Sequence, residues 1–142
     1  IRKFSNIEQH LFASQAYLTE FGDVKKPEDL CQHKILSMSD EHLDQFMVVH
    51  NQQQQPKKIK VNPTVMGSDL MMLAQLARQN CGIVLLPDTI VEDYVASGEL
   101  VRVLPDWHAP HGIFHAVYPS RRGLLPAVRV FIDYLVEKLT IR

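Results

Sequence analysis

Histidines 108, 111 and 115, spaced H-x-x-H-x-x-x-H, form the first grouping in this 142-residue chain whose side chains could do chemistry together. Imidazole is a common zinc ligand, but a zinc site needs four donors that converge on one point. These three lie on a proline-flanked segment running into a strand, not on one helical face, and no carboxylate or thiol completes the set nearby. No metal is assigned. The remaining histidines, His10, His33, His42 and His50, are scattered. Cys31 and Cys81 fall on unlike elements, so they predict neither a disulfide framework nor a thiolate metal site. Neither has a neighbouring base to lower its pKa, and Cys81 abuts a buried strand, where a thiol is packing. Gly-x-Ser-x-Gly, a phosphate loop and His-Glu-x-x-His are all absent from the sequence. Arg121 and Arg122 read as a solvated turn rather than an anion clamp. No catalytic residue and no cofactor is expected.

Recognition chemistry is better represented. Met66-Gly67-Ser68-Asp69 opens a helix, and the first N–H groups of a helix lack partners and carry positive partial charge, which favours an anion. Gly67 lets backbone approach a ligand, Ser68 offers a hydroxyl, and Met66 offers adaptable apolar contact. Asp69 opposes an anion unless it caps the helix, and Ser68 and Asp69 have the alternative of being caps and nothing more. Ser14, at the start of an earlier helical turn, is either a ligand donor or an N-cap. Pro87 ends an apolar run and is either a wall of a binding cleft or a strand stop.

That run, Cys81-Gly82-Ile83-Val84-Leu85-Leu86-Pro87-Asp88, organises the rest of the chain. It is too short for a helix and lacks the alternation of a strand with one wet face. It therefore predicts a central strand buried on both faces between helices. Ligands in such sheets bind beyond the carboxyl ends of the strands, which is where Pro87 and Asp88 fall. Strands are predicted at 10–13, 34–38, 45–50, 59–62, 83–86, 100–104 and 113–118. Helices are predicted from 14 to about 21, from 70 to 79, from 88 to 96 and from Pro126 onward, with a helical turn at 26–30. Gly22 supplies the left-handed position after the first helix. Residues 51–58, with four glutamines, are an exposed hairpin loop, and 105–112, holding the single tryptophan, is a connection. In the last helix Val128, Phe131, Ile132, Leu135, Val136 and Leu139 repeat at helical spacing and should cover a sheet. Alternating strands and helices predict an α/β protein with a mostly parallel sheet.

Hydrophobic residues make up 46% and charged residues 22%, the balance of a globular domain rather than a disordered or membrane-embedded chain. A net charge of −1 argues against a nucleic-acid surface within these residues. No apolar run approaches the roughly 20 residues of a spanning helix. No export signal is visible at the N-terminus, and two isolated thiols suit a reducing, cytoplasmic setting. The absent initiator methionine suggests a fragment of a longer protein.

Phe12-Ala13-Ser14-Gln15-Ala16-Tyr17-Leu18 with Gly22, then Pro27-Glu28-Asp29-Leu30 with His33, resembles the "ASPAYL…G…PEDL…H" pattern of LysR-type transcriptional regulators. The likeness continues through Leu76-Ala77, Gly82-Ile83-Val84-Leu85-Leu86-Pro87 and Ser97-Gly98-Glu99-Leu100-Val101-Arg102-Val103-Leu104-Pro105-Asp106-Trp107. It closes with Ala116-Val117-Tyr118-Pro119-Ser120-Arg121-Arg122 and Val130-Phe131-Ile132-Asp133-Tyr134-Leu135, so it covers nearly the whole chain in order. Gln15 departs from the pattern's proline and loses a fixed backbone angle there. The resemblance implies the C-terminal part of an effector-binding domain with a periplasmic-binding-protein-like (type 2), two-lobed fold and an incomplete first lobe. Residues 1–9 would end a first-lobe segment, 10–111 would form the second lobe, and 112–142 would return to the first lobe as hinge strand and helix. It further implies a small-molecule effector with an acidic group, bound between lobes near Ser14, Met66, Gly67, Ser68 and Pro87. A homo-dimer or higher homo-oligomer is expected, with DNA bound only through a winged helix-turn-helix lying outside these residues, and no membrane partner. A transport solute-binding protein would share the fold but would need an export signal.

Overall fold

The computed structural model describes residues 2–38, 45–53, 55–118 and 122–139. The strands are β1 (Arg2–Ile7), β2 (Gln9–Ala13), β3 (Ile35–Met38), β4 (Gln45–His50), β5 (Pro56–Lys60), β6 (Pro63–Gly67), β7 (Ile83–Pro87), β8 (Val101–Val103), β9 (Trp107–His108) and β10 (Gly112–Ala116). The helices are α1 (Gln15–Phe21), α2 (Leu70–Arg78), α3 (Asp88–Ala96) and α4 (Pro126–Leu139), with a 3-10 turn at Pro27–Gln32. Residues 8–110 form one compact unit, and residues 1–7 with 111–142 form another. His42, Gln54 of the glutamine run, and 119–121 of the turn predicted before α4 lie outside the described residues.

The larger unit is built on a five-stranded sheet ordered β6-β3-β7-β2-β8, with the apolar run as its middle strand. One face buries Leu11, Ala13, Ile35 and Ile83 under Tyr17, Leu18 and Leu30. The other buries Phe12, Leu36, Val84 and Leu86 under Leu73, Ala74 and Ala77 of α2 and Val91 of α3. Both faces are dry, which is why β7 shows no alternation; each buried Leu or Phe contributes roughly 1.5–3 kcal/mol. The chain enters β7 through Gly82. A Cβ at that position would lie 2.6 Å from the Lys34 carbonyl oxygen, so only glycine permits this approach of β7 to β3.

The α/β class holds, but the sheet is mixed rather than mostly parallel. β3 runs parallel to β6 and β7, whereas β2 is antiparallel to β7 and β8. A wholly apolar strand reports that both its faces are covered, and says nothing of its neighbours' direction.

A second sheet, ordered β5-β4-β9, is antiparallel throughout. Its hairpin corrects the strand expected at 59–62. β5 begins at Pro56 opposite Val49, immediately after the turn, and ends at Lys60. Ile59 and Val61 are both buried, so their alternation reports burial continuing past the last ladder pair. Lys57 and Lys58 therefore sit on an edge strand rather than in a loop. Lysines there discourage further pairing, and Lys57 also pairs with Glu28. β9 falls within the expected connection, where Trp107 stands edge-on to His50 at 5.0 Å.

In the smaller unit β1 and β10 form an antiparallel ribbon, with its register shifted between Lys3 and Ser5. α4 packs on β1. The expected apolar stripe of α4 is present but not covered by a sheet: Ile132 is buried, whereas Phe131 is 59% exposed. A two-stranded ribbon is too narrow to cover a helix face. Among the described residues no helix is long and apolar enough to cross a membrane.

Candidate functional site

The parallel strands β3, β6 and β7 end together, and antiparallel β2 begins at that same end. Gly67 pairs with Met38, His10 pairs with Leu86, and Gln9 pairs with Pro87. Leu36 is level with Val84, so Met38, two residues on, comes level with Leu86. Gly67, Met38, Leu86 and His10 thus form a row across four strands, with Ser68, Pro87 and Asp88 at its rim. α2 and α3 both start here.

Each of those helix starts already holds a carboxylate. Asp69 is the N-cap of α2, and its Oδ1 accepts the Met71 N–H at 2.9 Å. Asp88 is the first residue of α3, and its own N–H donates to the Glu8 carbonyl at 2.9 Å. Ser68 is exposed, and its hydroxyl has no hydrogen-bond partner among the described residues. A Cβ on Gly67 would meet the Met72 Cε at 2.5 Å, the far end of a flexible side chain. Met66, Met71 and Met72 are exposed around this corner and give it a polarizable apolar fringe.

At the other end of the row His10 lies against Asp88, Nδ1 to Oδ1, at 2.7 Å. Arg102 Nη2 donates to the second carboxylate oxygen at 2.9 Å. An ionised carboxylate only accepts, so His10 Nδ1 is the donor in this contact. The His10 side chain is 9% exposed, and the ring of His108 stands edge-on 6.3 Å away.

Of the five residues expected at a ligand, the structure groups Met66, Gly67, Ser68 and Pro87 and sets Ser14 apart. Ser14 follows the carboxyl end of β2, and because β2 is antiparallel this is the opposite end of the sheet. Its hydroxyl is committed there: it accepts the Tyr17 N–H at 3.0 Å as N-cap and donates to Asn80 Oδ1 at 2.6 Å. The parallel sheet expected from the sequence would have brought Ser14 to the same end as Gly67, and the reversed strand moved it. His10, Asp88 and Arg102 were not foreseen as a group. Asp88 beside Pro87 was the one signal, because His10 is 78 residues away in sequence.

His108 belongs to the larger unit and His111 and His115 to the smaller. Among the described residues no three His, Cys, Asp or Glu side chains are placed to hold a metal ion.

Beneath the sheet, the buried Tyr17 hydroxyl accepts the Lys34 N–H at 3.0 Å and meets His33 Nδ1 at 2.9 Å. Burial raises the phenol's pKa, with the Lys34 N–H opposing it, so the hydroxyl keeps its proton and donates it to His33. Burial also lowers the pKa of His33, partly offset by the charge of Asp29.

Comparison with known proteins agrees with this architecture. Residues 1–140 match the LysR substrate binding domain family model. An HTH-type transcriptional regulator of Xanthomonas campestris pv. campestris is 29% identical over 141 residues, covering 97% of this chain and 41% of that protein. The HTH-type transcriptional regulator CrgA of Neisseria meningitidis serogroup B is 32% identical over 139 residues, covering 92% of this chain and 46% of CrgA. The chain therefore spans less than half the length of either relative. Among solved structures, the regulatory domain of a variant of AphB from Vibrio vulnificus superposes with a TM-score of 0.83 at 27% identity, covering 96% of this chain and 68% of that one. The fold is that of these regulatory domains, periplasmic-binding-protein-like, and the chain belongs to the LysR substrate-binding domain family.

Proposed function

We propose that this chain is the effector-binding part of a LysR-type transcriptional regulator. In this reading a small metabolite with an acidic group binds in a cleft between two lobes. Residues 10–111 supply one wall through Met66, Gly67, Ser68 and Pro87. Residues 112–142 are a hinge strand and helix of the other lobe, to which 1–9 also belong. Ser14 is left out, because its hydroxyl is spent on a helix cap and on Asn80. The chain pairs as a homo-dimer in the cytoplasm, and DNA is bound by a winged helix-turn-helix outside these residues. The effector biases the placement of the lobes only by binding one arrangement more tightly, typically with about 1–3 kcal/mol of coupling.

The observation that supports this most is the family match over residues 1–140, with relatives that are HTH-type transcriptional regulators. No observation favours a transport protein. Titration of a metabolite panel into the full-length regulator, read by melting temperature, tests the reading. One acid should raise the melting temperature and alter operator binding. If an inducer active in cells produces no shift in the purified protein, cleft binding is wrong.

A further inference from the structure

We propose that His10 is the residue that receives the effector's carboxylate, and that it takes up a proton as it does so; this rests on the effector-site reading above. His10 lies in the row formed by Gly67, Met38 and Leu86, facing the same side of the sheet as Phe12 and Leu86. Its side chain is nine-tenths buried, yet Nε2 has no hydrogen-bond partner among the described residues. Among the described residues no buried side-chain nitrogen or oxygen lacks a partner, so this atom reaches the surface. A ring held by Nδ1 and open only at Nε2 is a fixed recognition group.

The local charges decide what it recognises. The helix N-termini at this end, the usual anion seats, are occupied by Asp69 and Asp88. The groups facing His10 are Asp88 from α3, Arg102 of β8 through that carboxylate, and His108 from β9. β7 sets Leu86 opposite it, and α2 turns Leu73, Ala74 and Ala77 to this face. Arg102 and Asp88 cancel, so with a neutral ring the trio has no net charge. A neutral ring with its proton on Nδ1 presents a lone pair at Nε2, which repels a carboxylate. Proton uptake from solvent converts Nε2 to a donor, and the incoming anion balances the added charge. Asp88 holds the ring in place and stabilises the imidazolium.

The row also has a length. Three strand spacings of about 4.8 Å separate Gly67 from His10, roughly 14 Å. A short acid seated at His10 does not reach Ser68, so the two ends can be probed separately.

Benzoate is the carboxylate probe and benzamide the neutral isostere, titrated into the isotope-labelled protein at constant ionic strength and followed by NMR. Benzoate should move the His10 ring signals and bind at least about tenfold tighter at pH 6.0 than at pH 8.0, because histidine is the side chain that changes charge in that interval. Benzamide should not show this dependence, and His10→Gln should abolish it. Benzoate shifts at the Gly67 and Ser68 amides with an unmoved His10 ring would overturn this inference and leave the effector-site reading standing. A pH-independent benzoate affinity, or no response at millimolar benzoate in the wild-type protein, would also overturn it. The metabolite titration of the full-length regulator judges the broader reading separately.

Discussion

Replacing Tyr17 by Phe removes one oxygen from the floor of the larger unit and leaves two groups without partners. The Lys34 N–H loses the acceptor it meets at 3.0 Å, and His33 Nδ1 loses the donor it meets at 2.9 Å. A typical hydrogen bond contributes about 0.5–1.5 kcal/mol net, and a buried donor left unsatisfied costs about 1–3 kcal/mol. The phenyl ring keeps its place in the core and its stacking on Phe21 at 4.8 Å, so no cavity penalty adds to this. The expected loss for Tyr17→Phe is about 1–2 kcal/mol, read from urea denaturation at pH 7.5. A pH experiment isolates the other partner. The folded pKa of His33 is lowered from its ordinary value of 6.5, so the unfolded chain binds its proton first. The stability from a neutral His33 is fully present above about pH 6.5 and is lost as pH falls through and below that value. His33→Gln offers Tyr17 an acceptor that does not titrate. The wild-type stability minus that of His33→Gln should therefore decline between pH 7.5 and 5.5. A Tyr17→Phe cost below about 0.5 kcal/mol, or parallel pH profiles for wild type and His33→Gln, would refute the proton assignment.

Gly82→Ala should destabilise the protein by about 2–3 kcal/mol in the same assay, because the new Cβ meets the Lys34 backbone carbonyl, which is held by the Ile83 N–H just before β3 and cannot swing aside. Ser14→Ala and Ser68→Ala should separate cleanly. The first should cost about 1–2 kcal/mol of stability through the lost cap and leave effector affinity unchanged. The second should change stability by less than about 0.5 kcal/mol and weaken binding of whichever metabolite stabilises the full-length regulator. The reverse pattern would return Ser14 to the site.

What the sequence made legible follows from how far along the chain each cause acts. The β7 run, the start and end of α3 and the Pro126 start of α4 are set by burial and caps within a few residues, and all were visible. The start of α2 after Met66, Gly67 and Ser68 was visible because a glycine and a cap precede an apolar helix, whereas β6 before it was not. β9 was not, since two residues at Trp107 and His108 gain strand character only by pairing with β4, more than fifty residues earlier. β1 likewise becomes a strand only beside β10. The displacement of Ser14 and the meeting of His10 with Asp88 have one common origin, the reversed direction of β2. Apolar periodicity carries no information on strand direction, so both were beyond reach of local reading.

The two units also differ in what holds them, and this can be measured. Residues 8–110 bury side chains on both faces of a five-stranded sheet. The smaller unit rests on Phe4 and Ile132, while Ile113, Phe114, Val130 and Phe131 stay in water. A two-stranded ribbon with one helix is marginal in water, because little apolar area offsets the entropy of ordering it. Opening of such a segment needs far less free energy than opening of a doubly covered sheet. Hydrogen exchange on this 142-residue chain should therefore show the amides of β1, β10 and α4 exchanging at least about a hundredfold faster than those of β3 and β7. Self-association that covers the exposed face would narrow that ratio as protein concentration rises, since a bound partner stabilises only the folded form. Equal protection of both units at the lowest concentration would mean that the smaller unit holds itself together by contacts other than those that bury Phe4 and Ile132.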